Sequence, residues 1–110
     1  MKQEHQEQPV QWYLTACYCY EILSAPIMED HEFDELGRYI EEFWDLIEHR
    51  HKYLIDRERC AHTSGVTKWY DEWPLLILDA AHTKAGVPFK ESSIYKAALD
   101  NAAVRELVGG

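Results

Sequence analysis

The spacing of apolar residues predicts a helix close to the N-terminus. The periodic positions, at i, i+3, i+4 and i+7, are Val10, Tyr13, Leu14 and Cys17. Pro9 suits the first turn of a helix, where its missing N–H is not needed, and Pro26 prevents the segment from continuing. We therefore expect a first helix over residues 10–23. Residues 1–8 are polar and without periodicity, so we expect a flexible N-terminus.

The clearest amphipathic pattern follows a short connector and predicts a second helix. Its apolar stripe consists of Phe33, Leu36, Ile40, Phe43, Trp44 and Ile47. Acidic residues cover the opposite face, and Asp30 is the expected N-cap. Gly37 costs a helix about 1 kcal/mol relative to alanine. Its presence indicates a close approach by another element, for which the first helix is the expected neighbour.

The second half of the chain predicts two further helices. After a basic cluster at residues 49–52, Asp56 is placed to cap a short helical turn through Cys60. A helix is expected over residues 74–85, between Pro74 and the terminating Gly86. A last helix runs from residue 92 or 93 to 107. No strand alternation is present. The pattern predicts an all-α protein, a single helical domain of about four helices over residues 9–108.

Composition narrows the function classes. The chain has 110 residues and a formal net charge of −9, so it is one domain whose acidity argues against direct nucleic-acid binding. The longest aliphatic run has four residues, far short of the roughly 20 that span a bilayer. The residues that follow Met1 are polar, so we expect no signal sequence. We expect a cytoplasmic protein without a membrane partner, and the sequence leaves a homo-oligomer open.

Cysteine and histidine positions do not predict a metal site. Cys17 and Cys19 are two residues apart, and such positions point roughly 200° away from each other on a helix, so one ion cannot readily bind both thiolates. We expect all three cysteines to be small core residues. The isolated histidines His31, His62 and His82 are expected at the surface or at helix caps.

Candidate chemistry lies around the first interhelical loop. Asp30 and Asp34 share one helix face at i, i+4, and the short connector bends Tyr20 and Glu21 back toward them. Paired carboxylates can bind ribose hydroxyls while an aromatic ring stacks on a base. Negative charge and aromatic faces also favour a cationic ring. Ordinary helix capping explains the same acidic residues, so both interpretations stay open on the residues alone.

The loop also carries a family pattern. The run Tyr-Glu-Ile-Leu-Ser-Ala-Pro-Ile-Met-Glu-Asp-His-Glu-Phe-Asp-Glu-Leu over residues 20–36 resembles the N-terminal helical Ia domain of bacterial NAD-dependent DNA ligases. The match is gapless over residues 18–44, a quarter of the chain. The second half is similar to short stand-alone bacteriophage proteins described as ligase-related.

The resemblance implies a site for the nicotinamide mononucleotide (NMN) half of NAD. Tyr20, Asp30 and Asp34 keep the family residue, and two further positions are occupied differently. Phe33 replaces a usual tyrosine and lacks its hydroxyl, and Glu21 replaces tyrosine or histidine and adds a negative charge. No lysine begins the K-x-D-G motif that ligases adenylate, so the chain is expected to be non-catalytic.

A nucleotide also needs a cationic partner for its phosphate. The candidates are Arg38, His49, Arg50, His51 and Lys52. The leading hypothesis is non-catalytic binding of an NAD-derived nucleotide (NMN, NAD or an ADP-ribose relative) as ligand rather than cofactor, by a phage protein that sequesters a nucleotide signal of host defence. The alternatives are a small hydrolase using Asp30 or Asp34 as general base, and an acidic protein-interaction module that mimics DNA toward a host protein.

Overall fold

Five α-helices form the regular structure of residues 1–109, the part of the chain that the computed structural model describes, with side chains through residue 107. They are α1 (Gln3–Glu7), α2 (Pro9–Glu21), α3 (Asp30–Glu42), α4 (Leu75–Ala85) and α5 (Ser93–Gly109). Short 3₁₀ turns lie at Trp44–Leu46, Lys52–Leu54, Tyr70–Glu72 and Phe89–Glu91. Within these residues the one β pairing is an isolated bridge between Ile55 and Val66. The predicted all-α class is confirmed.

Helix α2 is the centre of the fold. From Tyr13 to Cys19 every residue is buried, so the helix has an almost fully apolar circumference, as expected of a helix enclosed by neighbours. It packs against α3 on one side and α4 on another. The two cysteines of α2 and Cys60 are all buried, in agreement with the prediction that they are core residues.

Helix α3 differs from its prediction at both ends. The N-cap is Glu29 rather than Asp30, and the Glu29 N–H donates to the Glu32 carboxylate at 3.0 Å, which keeps the pKa of Glu32 below its usual range. The helix stops at Glu42, although the apolar stripe continues to Ile47. The ammonium of Lys52 donates to two carbonyl oxygens beyond this end, those of Trp44 at 2.7 Å and Ile47 at 3.0 Å. The spacing of apolar residues along a helix cannot predict this contact, because the lysine comes from the following loop.

Gly37 lies against the loop after α3 and not against α2, which corrects the expected neighbour. A Cβ at this position would overlap the carbonyl oxygen of Cys60 and lie 3.0 Å from its carbonyl carbon. The Cys60 thiol in turn points at the Gly37 carbonyl oxygen, at 3.6 Å. The backbone of the 56–60 turn, which Asp56 caps as predicted through the Glu58 N–H, therefore packs directly on α3.

The N-terminal segment forms a helix, where the sequence indicates a flexible terminus. His5 is 2% exposed and its ring lies 4.8 Å from that of Trp12. This contact with α2 contributes to the burial of His5, although the residues beside it in the sequence are polar. The division of the chain at residue 9 stays a prediction.

Helices α4 and α5 begin and end close to the predicted positions. Gly86 ends α4 in the left-handed conformation, with φ of 69°, which a glycine adopts without a steric penalty. The hydroxyl of Ser92 accepts the N–H of Tyr95 at 3.0 Å and caps α5. His82 of α4 is wrongly predicted as a surface or capping residue, because it is 2% exposed and its ring bonds Tyr18 of α2.

Candidate functional site

A pocket of about 280 Å³ lies between α2, the connector into α3, and the turn at residues 63–64. Its polar groups belong to Tyr20, Asp30, Asp34, Thr63 and Ser64. Its apolar wall consists of Ala16, Pro26, Ile27, Met28 and Phe33. We call this the acidic pocket. It brings together four of the five residues predicted to bind a ligand, the exception being Glu21.

The connector between α2 and α3 positions these side chains. The N–H groups of Ile22 and Leu23 both donate to the Tyr18 carbonyl oxygen, and the Ala25 N–H donates to the Cys19 carbonyl oxygen at 3.0 Å. The chain therefore reverses tightly after α2. Asp30, Phe33 and Asp34 then lie in the first two turns of α3, at the spacing that places them on one side of a helix.

Tyr13 connects the aromatic wall of the acidic pocket to the hydroxyl-bearing turn. Its ring stacks on that of Phe33, with centroids 4.9 Å apart and planes 18° apart. Its hydroxyl donates to the Thr63 carbonyl oxygen at 2.9 Å and accepts the Gly65 N–H at 2.8 Å. Burial raises the pKa of Tyr13 far above its usual value, so the hydroxyl stays a donor. One buried residue thus fixes both Phe33 and the 63–64 turn.

Glu21 binds a different partner. Its carboxylate accepts the Tyr70 hydroxyl at 2.5 Å, and the residue does not line the acidic pocket. Burial raises the pKa of Tyr70, which keeps the phenol protonated and donating. The geometry therefore gives Glu21 a role in joining α2 to the Tyr70–Glu72 turn, and it does not bring the side chain to the predicted ligand.

The predicted phosphate residues do not line the acidic pocket. Lys52 is occupied by the carbonyl groups beyond α3 and by the Trp44 ring, whose centroid lies 4.5 Å from its ammonium. His49, Arg50 and His51 line a second pocket, together with Gln11 and Leu14 of α2. Arg38 is exposed and follows Asp34 by one turn of α3.

Helix α2 separates the two pockets. At 100° per residue, Gln11 and Leu14 lie roughly 170° around the helix axis from Ala16 and Tyr20. The first pair lines the second pocket and the other pair lines the acidic pocket. A helix with its side chains is roughly 10 Å thick. The cluster of His49, Arg50 and His51 is therefore on the opposite side of α2 from the paired aspartates.

The acidic pocket has a defined chemical preference. Two carboxylates can accept hydrogen bonds from a polyol such as a ribose, and three hydroxyl groups can donate or accept them. The carboxylates beside the Tyr20 ring also attract a cation. The hydroxyl residues Thr63 and Ser64 are missing from the sequence prediction. The sequence Thr-Ser-Gly is typical of a turn, and nothing local shows that this turn faces α3.

We expect His49 and His51 to make the free energy of unfolding of the protein depend on pH. Burial, and then the charge of Arg50, holds the pKa of each imidazole below its usual value of 6.5. Since the unfolded chain then binds more protons, the stability these rings contribute is present above pH 6.5 and is lost as the pH falls below it. We expect the free energy of unfolding, measured with urea, to decrease between pH 6.5 and about 5.

The variant that tests this is the double substitution His49→Gln and His51→Gln, which should flatten the decrease. His62→Gln, at an exposed position, is the matched control and should leave the slope unchanged. An equal slope in the double variant and the control would show that these two rings are not the groups responsible.

Comparisons with known proteins give no relative. No protein-family model, no curated protein and no solved structure matches the chain.

Within residues 1–109 no group of three or more histidine, cysteine, aspartate or glutamate side chains is arranged to hold a metal ion. None of the helices in that range is both long and apolar enough to cross a membrane.

Proposed function

We propose that the chain binds an NAD-derived nucleotide in the acidic pocket without transforming it. The observation that carries the proposal is the convergence of Tyr20, Asp30, Phe33 and Asp34 on one pocket. These are the positions at which the resemblance to the ligase Ia domain implies contacts with nicotinamide mononucleotide.

The size of the acidic pocket favours a small ligand. Pockets for organic ligands span roughly 300–1,000 Å³, and this one has about 280 Å³. The volume fits a nucleoside or a mononucleotide better than a complete dinucleotide. Negative charge from Asp30 and Asp34, next to the Tyr20 ring, favours a base that carries a positive charge, as the nicotinamide ring of NMN does.

The phosphate of such a ligand would lie at the open side of the acidic pocket. Among the five predicted cations, Arg38 is the one on α3 itself, one turn beyond Asp34, and its long exposed side chain can reach a group at the rim. We therefore assign the phosphate contact to Arg38. This binding mode leaves the nucleotide intact and suits a protein that withdraws a nucleotide from solution, such as a phage protein that sequesters a signal of host defence.

Calorimetric titration tests the proposal. We expect NMN to bind more tightly than NAD, ADP-ribose or cyclic ADP-ribose. Asp34→Asn should weaken NMN binding about tenfold or more, because hydrogen bonds to a charged partner contribute roughly 1.5–3 kcal/mol each. Asp100→Asn, an exposed acid of α5, has the same change of net charge and should not alter the affinity.

Two outcomes would contradict the proposal. If none of the four nucleotides gives a heat of binding, the nucleotide proposal is wrong and the protein-interaction alternative is favoured. Equal affinities for Asp34→Asn and the wild type would place the ligand elsewhere. Chromatography of the NMN after prolonged incubation checks the non-catalytic part, for which we expect complete recovery.

A further inference from the structure

The second pocket combines donors and apolar side chains in a way that the nucleotide proposal does not use. Its volume is about 130 Å³. His49, Arg50 and His51 line one side, and Leu14, Leu76 and Ile77 line the other. We call this the basic pocket.

Arg50 is the free cation of this pocket. Its guanidinium forms neither an ion pair nor a hydrogen bond within residues 1–109, although the chain carries 20 acidic residues. A guanidinium presents a fixed fork of N–H donors that matches the two oxygens of a carboxylate. No acidic residue lines the basic pocket, so an anionic ligand meets no competing carboxylate there.

The histidines add an oriented donor. The His51 N–H donates to Nδ1 of His49 at 3.0 Å, so Nδ1 is an acceptor and the proton of the neutral ring is on Nε2. The surrounding loop is held by backbone hydrogen bonds from Lys52 to His49 and from Leu54 to His51. His49 and Arg50 therefore lie in a hydrogen-bonded turn directly before the Lys52–Leu54 3₁₀ turn.

The opposite wall selects against a fully hydrated anion. Leu14 and Ile77 are buried and Leu76 is 60% exposed at the rim, so the pocket passes from an apolar floor to a cationic edge. Filling the floor with apolar atoms is favourable, whereas phosphate has none to offer. For scale, an apolar protein cavity of roughly 150 Å³ accommodates benzene. The basic pocket therefore has space for an apolar group of about that size or slightly smaller.

We propose that the basic pocket binds a small monocarboxylate with a short branched or cyclic apolar tail, its carboxylate on Arg50 and its tail against Leu14 and Ile77. The site is independent of the acidic pocket, because α2 lies between them. It does not depend on the nucleotide proposal, and either proposal can fail without the other.

Titration of the ¹⁵N-labelled protein, followed by amide chemical shifts, tests this site. The probes are isovalerate, its uncharged isostere isovaleramide, inorganic phosphate and NMN. We expect isovalerate to give saturable shifts at Gln11, residues 49–51 and Ala80. Isovaleramide should bind at least about tenfold more weakly than isovalerate, because it lacks the charge that Arg50 recognises. Phosphate should not saturate these residues, and NMN should shift the acidic pocket instead.

Two variants separate the parts of the basic pocket. Arg50→Gln should weaken isovalerate binding about tenfold, and Arg105→Gln, an exposed arginine of α5, is its matched control. Ala80→Leu adds volume to the lining of the pocket and should abolish binding. The proposal is overturned by equal binding of isovalerate and isovaleramide, by phosphate saturating the same residues, by unchanged affinity in Arg50→Gln, or by no saturable shift with isovalerate. Since the two isosteres are compared on the wild-type protein, failure of a variant to fold does not remove the test.

Discussion

Replacing Gly37 by alanine is expected to destabilise the protein by about 3 kcal/mol, although the position lies inside helix α3. Helix propensity alone predicts the reverse, a gain of about 1 kcal/mol. The clash decides the sign, since the new Cβ would overlap the carbonyl oxygen of Cys60. Backbone on both sides of the contact cannot move aside by changing a rotamer, so α3 and the 56–60 turn would have to separate.

The measurement is thermal unfolding of Gly37→Ala beside Arg38→Ala. We expect the melting temperature of the glycine variant to fall by roughly 15 °C. Arg38 is the next residue of α3 and is exposed, so its truncation should change the free energy of unfolding by less than about 0.5 kcal/mol. A melting temperature for Gly37→Ala at or above that of the wild type would refute the close approach.

Removing the hydroxyl of Tyr18 is the second change with a large expected effect. This oxygen lies 2.9 Å from Nε2 of His82 and 2.8 Å from Oγ of Ser92. His82 Nδ1 lies 2.8 Å from the Val87 carbonyl oxygen, which only accepts, so Nδ1 carries the proton of the neutral ring. Tyr18 must then donate to Nε2, and Ser92 donates to Tyr18. The chain of donors joins α2, α4 and the start of α5.

Tyr18→Phe leaves Nε2 of His82 and the hydroxyl proton of Ser92 without their partners in a buried site. Each unpaired buried group costs about 1–3 kcal/mol, so we expect a loss of about 2 kcal/mol or more in urea unfolding. Tyr20→Phe removes a hydroxyl from a side chain that is 60% exposed and should cost less than about 0.5 kcal/mol. Equal stability of the two variants would show that the buried network contributes nothing.

Local pattern was sufficient for helices α2 to α5, whereas α1 lies in a segment that was expected to be flexible. The residues that end or start them, such as Pro9, Pro26 and Gly86, act on their own neighbours, and the structure places helix ends within a few residues of them. The exception is the end of α3, where Lys52 reaches back to the carbonyl groups of Trp44 and Ile47. Periodicity describes one helix at a time and carries no information about a side chain arriving from the next loop.

The same limit applies to the acidic pocket. Asp30, Phe33 and Asp34 were predictable because one helix carries them, and Tyr20 because the connector is short. Thr63 belongs to a turn that is distant in sequence. The hydrogen bond from the Tyr13 hydroxyl to the Thr63 carbonyl oxygen holds that turn in place. His82 is the clearest failure, since buried polar groups are in most cases hydrogen-bonded, and the partner of His82, Tyr18, is 64 positions away.

The enclosed position of α2 determines where this protein can change. Between Tyr13 and Cys19 every residue is buried, so a substitution there alters the scaffold before it alters a ligand, even at Ala16 and Leu14, which also line a pocket. New specificity can enter the acidic pocket mainly through residues 26–28 of the connector and residues 63–64. A library aimed at a different ligand should randomise those five positions and leave the central helix intact.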